Sequence, residues 1–159
     1  MSIQDDINAG LSLLPMKMRS ESARVILHAI NLQENPRRLE QQIGGPARGD
    51  YQFESGGGVK GVLSHAASKD LAYSVCAARG VKADRLSVYE AIGHDPILAA
   101  ALARLLLWTD PKPMPAVGDE PGAWSLYLRV WRPGAYERQP EELRAKFKKN
   151  YATAMAARA

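Results

Sequence analysis

The chain has little of several features that would narrow its function at once. Of its 159 residues only Cys76 is a cysteine, which excludes an internal disulfide and suits a reducing compartment. The longest apolar stretch, 97–108, is interrupted by Arg104 and is too short to cross a membrane. The first twenty residues carry acids where a signal peptide carries bases. We therefore expect synthesis in the cytoplasm without a secretory signal.

Metal-ligand and nucleotide-binding patterns are also missing from the sequence. His28, His65 and His94 have no ligand-like spacing with Cys76, so we expect no metal site and no other cofactor. The glycine run at 56–58 lacks the Gly-Lys-Ser/Thr ending of a phosphate-binding loop. These absences leave chemistry that side chains perform by themselves, or a role in binding.

The charge of the chain is moderately basic and is spread along the sequence. There are 21 lysine and arginine residues against 17 aspartate and glutamate residues, which gives a formal net charge of +4. This charge suits an acidic partner, such as nucleic acid, an anionic membrane or a bacterial cell-wall polymer. Because the bases are mixed with acids rather than gathered in one stripe, we expect no nucleic-acid partner.

Capping and helix-breaking residues divide the chain into helices. No internal repeat or linker interrupts it, so we predict one domain over residues 1–159, in which 1–19 form a first helix and its lead-in. Residues 97–108 are predicted to be the central buried helix, and a last helix begins near Pro140. Residues 43–54 lack helical periodicity and predict at most a small β-hairpin. Further helices are predicted to begin at Val59 and at Ala67, and after the capping residues Ser20 or Ser22, Asp84 and Asp119.

Glu34 stands at the end of the second predicted helix and is the candidate with the most chemical meaning. Leu27, Ile30 and Glu34 fall on one side of that helix. A carboxyl group among apolar neighbours loses hydration, which raises its pKa and lets it hold a proton near neutral pH. The same residue could instead pair with Arg37 or Arg38 as an ordinary helix-end ion pair.

The residues that follow Glu34 resemble a known motif. Gln52 lies eighteen positions after Glu34, with Ala47 and Gly49 between them. The segment GPARGDYQFE precedes GGGVKG, and a later helix ends in WRPG. These features resemble the lytic transglycosylases and goose-type lysozymes, and in particular phage-encoded members of that superfamily. The resemblance covers most of the chain after about residue 20 and implies a mainly α, lysozyme-like α+β fold.

The function that the resemblance implies is cleavage of peptidoglycan. Glu34 would protonate the oxygen that bridges MurNAc and GlcNAc, and the partner would be the peptidoglycan glycan strand. In a lytic transglycosylase the same carboxylate then takes a proton from the sugar's own hydroxymethyl group, and an anhydro product forms. A hydrolase uses a second carboxylate, for which Asp50, Glu54 and Glu40 are candidates without a distinctive spacing. We therefore favour the mechanism with one carboxylate.

Five further residues are candidates for holding the substrate: Gln52, Tyr51, Tyr127, Trp131 and Arg48. Gln52 would hydrogen-bond the sugar or the groove wall; alternatively it is a loop residue that satisfies backbone groups. Tyr51, Tyr127 and Trp131 could stack on sugar rings, although single aromatic residues more often belong to the core.

Two departures from the family pattern bear on activity. Asn35-Pro36 replaces the Ser-Gly or Ser-Arg that often follows the catalytic glutamate, and Asp50 replaces a hydrophobic residue. Arg48 could contact an acidic group of the wall or form a salt bridge with Asp50. The alternative to an enzyme is therefore a virion or tail component, or a glycan-binding module, that has the same fold without the activity.

The last predicted helix carries basic side chains beside an apolar line. Leu143, Phe147, Tyr151 and Met155 recur every four residues along it. The helix could press on an anionic membrane, but docking of this line on the core is the more common role of such a pattern. We expect a monomer that acts in the periplasm, at the cell wall or as part of a virion.

Overall fold

Nine α-helices follow one another along residues 1–158, the part of the chain that the computed structural model describes. Their bounds are α1 Ile3–Ser12, α2 Glu21–Glu34, α3 Lys60–Ser64, α4 Lys69–Ala78, α5 Arg85–Ile92, α6 Pro96–Trp108, α7 Glu120–Trp131, α8 Ala135–Arg138 and α9 Pro140–Ala157. A 3₁₀ turn at Met16–Met18 and a π-helical turn at Ser55–Val59 lie between them. No β-strand occurs among these residues, and the predicted mainly α class is confirmed.

Five of the helices, α1, α2, α5, α6 and α7, begin at side chains that cap free backbone N–H groups. Ser2 and Asp5 form a reciprocal capping box on α1. Ser20 caps α2 by accepting a hydrogen bond from the N–H of Ala23. Three aspartates cap α5, α6 and α7: Asp84, Asp95 and Asp119.

Helix α6 lies at the centre of the core, as its composition predicted. Residues 98–105 are buried without interruption, and α1–α5 and α7 all pack against the helix. Arg104 is the one charged residue in this stretch, and its Nε donates to the Met18 carbonyl oxygen at 2.8 Å. Burial lowers the pKa of Arg104 to about 10. The buried guanidinium therefore ties the 3₁₀ turn to the central helix.

Helix α9 packs along α2 and also contacts α7 and α8. Phe147, Tyr151 and Ala154 on its inner side are buried. The apolar line predicted from the sequence thus docks on the core.

The length and apolarity of the helices can be compared with what a membrane span requires. Within residues 1–158 no single helix is long and apolar enough to cross a membrane; α5 and α6, bent at 119° to each other, reach that length and apolarity only as a pair.

The small hairpin predicted at residues 43–54 is reduced to two isolated bridges. Arg48 pairs with Gln41 on one side and with Phe53 on the other. Positive φ angles interrupt the extended backbone at Gly44, Gly49 and Gln52, where they measure 73°, 77° and 55°. A ladder cannot extend through left-handed residues, so the segment stays a folded loop on the end of α2.

Candidate active site

Glu34 is the last residue of α2, and its carboxylate meets α7. Its side chain is partly buried, and Oε2 accepts a short hydrogen bond from Tyr127 Oη. Tyr127 is itself fully buried, so the carboxylate faces the interior on this side. The alternative prediction, an ion pair with Arg37 or Arg38, is not what the described residues show, because Arg38 binds two aspartates instead.

Burial raises the pKa of Glu34. Loss of hydration is the largest cause, and the hydrogen bond from Tyr127 and the positive charge of Lys146 oppose it. Lys146 is held near the end of α2 because its Nζ donates to the Gln33 carbonyl oxygen at 3.2 Å. A carboxyl group in this setting keeps its proton to a higher pH than an exposed glutamate, which a general acid needs.

Tyr127 orients Glu34 and packs against two other aromatic rings. Trp131 stacks on it at a centroid distance of 6.3 Å and Phe147 at 5.3 Å. Burial, followed by the negative charge of Glu34, raises the pKa of Tyr127, so the phenol stays a donor. The prediction that Tyr127 stacks on a sugar ring is wrong, since the side chain is fully buried.

Trp131 joins the end of α7 to the loop that carries Gln52. Its indole Nε1 donates to the Tyr51 carbonyl oxygen at 3.0 Å, and its ring lies 6.0 Å from that of Phe53. The side chain is only half-buried. Of the three aromatic residues predicted to stack on sugars, Trp131 alone is partly exposed, and it packs against Tyr127.

Tyr51 lies in the core rather than on a binding surface. It is 1% exposed, and its hydroxyl has no hydrogen-bond partner among the described residues. Burial, followed by the nearby charge of Asp50, raises the pKa of Tyr51. The predicted contact between Tyr51 and a sugar is excluded by this burial.

Gln52 is partly exposed and has a left-handed backbone, with φ of 55°. Its Nε2 donates to the Gly49 carbonyl oxygen at 3.0 Å. This contact matches the predicted alternative, in which the side chain satisfies the loop backbone. It also fixes the amide within the loop that Trp131 holds against α7.

Asp50 is locked in a buried network and is not available as a second carboxylate. Arg38 binds it through Nη2 at 2.7 Å and through Nε at 3.0 Å, and the same Nη2 binds Asp6 at 2.5 Å. Asp50 is 5% exposed. The other two candidates, Glu40 and Glu54, are exposed on the surface. No second carboxylate has therefore been brought into contact with Glu34 among the described residues.

Arg48 turns away from Asp50, so the predicted salt bridge between them is wrong. Its guanidinium lies over the ring of Tyr89 at 4.3 Å, and Tyr89 Oη donates to the Pro46 carbonyl oxygen. The buried Nε of Arg48 has no partner among the described residues. Arg48 consequently packs the loop on α5 rather than facing Glu34.

Two asparagines hold the loop in place, and the sequence interpretation missed both. Asn31 Nδ2 donates to the Asp50 carbonyl oxygen at 3.1 Å, and Asn35 Nδ2 donates to that of Gly49 at 2.9 Å. Both side chains are buried. Asn35 is thus a clamp for the loop rather than a sign of lost function. The available signal was two amide side chains one helical turn apart at the end of an apolar helix.

Three surface cavities, with volumes of about 430, 820 and 340 Å³, lie away from Glu34. Neither Glu34 nor Gln52 lines any of the three. The one with the greatest volume has Glu40, Arg38 and Asp50 in its wall.

Comparison with known proteins gave no match from which a function could be inferred. No protein-family model, curated protein or solved structure matches the chain. An assignment of function therefore rests on the motif in the sequence and on the geometry around Glu34.

Proposed function

We propose that the protein is a peptidoglycan-cleaving glycosidase of the lysozyme-like, lytic transglycosylase type, with Glu34 as general acid and base. One observation carries this proposal: the carboxyl of Glu34 is partly buried at the end of α2, where loss of hydration raises its pKa. Tyr127 holds one of its oxygens, so the other is left for a substrate. Such a carboxyl can be protonated before the reaction and charged during it.

The first step transfers the proton of Glu34 to the oxygen that bridges MurNAc and GlcNAc. The bond between that oxygen and the anomeric carbon then breaks, and positive charge develops on the sugar ring. The carboxylate of Glu34 is now negative and stabilises this charge. Its hydrogen bond from Tyr127 becomes charge-assisted at the same moment, which favours the ionised state when it is needed.

The second step returns the proton to Glu34. The carboxylate removes it from the hydroxymethyl group of the same sugar, and the freed oxygen bonds to the anomeric carbon. An anhydro sugar leaves, and the enzyme is back in its starting state without a water molecule or a second acid. This route is favoured because Asp50 is engaged by Arg38, and Glu40 and Glu54 are exposed.

The lysozyme-like α+β fold is part of this proposal. In support of it, a buried helix ends in the candidate acid and is followed by a loop with two antiparallel bridges. In that fold the loop with Gln52 would form one wall of the glycan groove, and Trp131 would stand beside it.

A second candidate is a glycan-binding module, or a virion or tail component, without catalytic activity. It is favoured by the position of Glu34 outside the three described cavities. In this case the Glu34–Tyr127 contact joins α2 to α7 and has no part in chemistry.

Digestion of purified peptidoglycan tests both candidates. The wild type, Glu34→Gln and the control Glu54→Gln are incubated with it, and the released muropeptides are identified by mass spectrometry. We expect anhydro products from the wild type and the control and none from Glu34→Gln. Reducing ends that depend on Glu34 would indicate hydrolysis instead. Release from none of the proteins, with retention on insoluble peptidoglycan, would support the binding module.

A further inference from the structure

A separate cavity of about 430 Å³ lies where α1, α2 and α9 meet. Residues at helical spacing on each helix line it, together with Arg158, which directly follows α9: Gln4, Ile7 and Asn8 on α1, Glu21, Arg24, Val25 and His28 on α2, and Ala154 and Ala157 on α9. Its volume falls within the range of small-molecule sites. None of its lining residues takes part in the contacts around Glu34.

The cavity exists because α9 presents small side chains to it. Ala154 and Ala157 face Ile7 and Val25 across the junction. Ala154 is almost fully buried, as are Ile7 and Val25, so these side chains form an apolar floor. A longer side chain at either alanine would fill the space.

One titratable ring, that of His28, lies beside this apolar floor. His28 is 8% exposed and lines the cavity, and its ring nitrogens are not among the fully buried polar atoms without a partner within residues 1–158. Burial lowers the pKa of His28, so the ring is neutral at neutral pH. A neutral imidazole offers one donor and one acceptor. Because the ring lines the cavity, either nitrogen can hydrogen-bond an atom of a bound ligand.

The rim of the cavity has an excess of positive charge. Arg24 is fixed by hydrogen bonds from its Nε to Asn8 Oδ1 at 2.7 Å and from its Nη1 to the Arg19 carbonyl oxygen at 2.8 Å. Arg158 pairs with Glu21 at 3.1 Å. Two guanidinium groups thus stand against one carboxylate, which favours an anion at the rim.

We propose that this cavity binds a small organic carboxylate with a short apolar body. The carboxylate lies at the rim with Arg24 and Arg158, the apolar body lies on Ala154 and Ala157, and His28 completes the polar contacts. This site is independent of peptidoglycan cleavage and does not rest on the function proposed for Glu34.

Octanoate and its neutral analogue octanamide are the probes that test the apolar and charged parts together. Each is titrated into the full-length protein by calorimetry and by NMR. We expect octanoate to bind one per chain and at least about tenfold more tightly than octanamide, because only octanoate meets the guanidinium groups. Bound octanoate should also raise the pKa of His28 in an NMR titration. Equal affinity for the two probes, or no saturable binding of octanoate, would overturn the proposal.

Paired variants locate the site. Ala157→Leu fills the cavity, whereas Ala156→Leu makes the same change on the exposed side of α9. We expect Ala157→Leu to weaken octanoate binding at least about tenfold and Ala156→Leu to leave it unchanged. Binding that survives Ala157→Leu in a protein with an unchanged circular dichroism spectrum excludes this cavity.

A second pair tests the charge without touching the packing. Arg24→Gln removes a rim cation, and Arg85→Gln removes an exposed arginine on α5. Arg24→Gln should lower the affinity for octanoate and leave that for octanamide unchanged, whereas Arg85→Gln should change neither. An equal loss for both probes in Arg24→Gln would contradict the anionic assignment.

Discussion

Replacement of Tyr127 by phenylalanine isolates the hydrogen bond on which the chemistry of Glu34 depends. The ring contacts with Trp131 and Phe147 remain, while the donor to Oε2 is lost. A hydrogen bond to a charged group contributes about 1.5–3 kcal/mol, and one between neutral groups about 0.5–1.5 kcal/mol. The cost of Tyr127→Phe should therefore depend on whether Glu34 is ionised.

The expected size of the effect follows from these contributions. At a pH above the folded pKa of Glu34, where the carboxyl is charged, Tyr127→Phe should lower the free energy of unfolding by about 1.5–3 kcal/mol and the melting temperature by roughly 3–12 °C. At a pH low enough to protonate Glu34, the loss should shrink to about 0.5–1.5 kcal/mol. Because the lost bond favours the carboxylate, the pKa of Glu34 should rise further in the variant.

Urea unfolding at the two pH values, with a carboxyl-carbon NMR titration of Glu34, measures these quantities. Tyr73→Phe is the matched control, since Tyr73 is half-exposed on α4 and should change stability by less than about 0.5 kcal/mol. A double-mutant cycle with Glu34→Gln should assign the loss to this pair. If Tyr127→Phe costs the same at both pH values, or nothing where the NMR titration shows Glu34 charged, the contact does not stabilise the carboxylate.

Three further variants test the environment of the site. Folding raises the pKa of Glu34 above its usual value of 4.5, so its contribution to stability is full below about pH 4.5 and is lost as the pH rises through the folded pKa. Urea unfolding of Glu34→Gln across this pH range should not show that loss, and a profile equal to that of the wild type would contradict the burial of Glu34. Arg38→Met leaves two buried aspartates unpaired and should cost about 3–5 kcal/mol in the same assay, whereas a loss below 1 kcal/mol would show that the network is dispensable. Gly49→Ala would place a Cβ 2.5 Å from the Ile92 carbonyl oxygen, whereas Gly44→Ala shares the positive φ but meets no atom within 4 Å. Gly49→Ala should therefore destabilise the protein more than Gly44→Ala, and equal losses of stability would show that the clash with Ile92 has no effect.

The helices were predictable because their signals are local. Cap residues such as Ser20, Asp84 and Asp95 satisfy N–H groups only three positions away, and the observed starts agree with them. The helix predicted from Val59 to His65 also agrees with α3 to within one residue at each end, but the π-helical turn Ser55–Val59 before it was not predicted. There the Gly58 Cα packs against the ring of Phe53, where a Cβ would lie 2.9 Å from ring atoms. That contact depends on the loop conformation, which the residues alone did not show.

The burial of Glu34 was predictable, whereas its neighbours were not. Leu27 and Ile30 place it on the apolar side of α2, which is a property of 3.6-residue periodicity. Its partner Tyr127 lies 93 positions away, on a helix whose approach depends on the whole core. The sequence likewise did not show that Tyr51 and Tyr127, two of the aromatic candidates for sugar stacking, are buried in the core.

The residues along the chain thus determined by themselves where the helices begin, which helix is central and which acid stands at a helix end among apolar side chains. The tertiary structure alone decided that Asp50 is neutralised by Arg38, that Tyr127 orients Glu34 and that alanines on α9 leave a cavity beside His28. Capping and periodicity act over a few residues, whereas burial and ion pairing depend on groups that meet only when distant segments pack. The ionisation of a carboxyl is set by those groups, so the chemistry of Glu34 belongs to the folded chain.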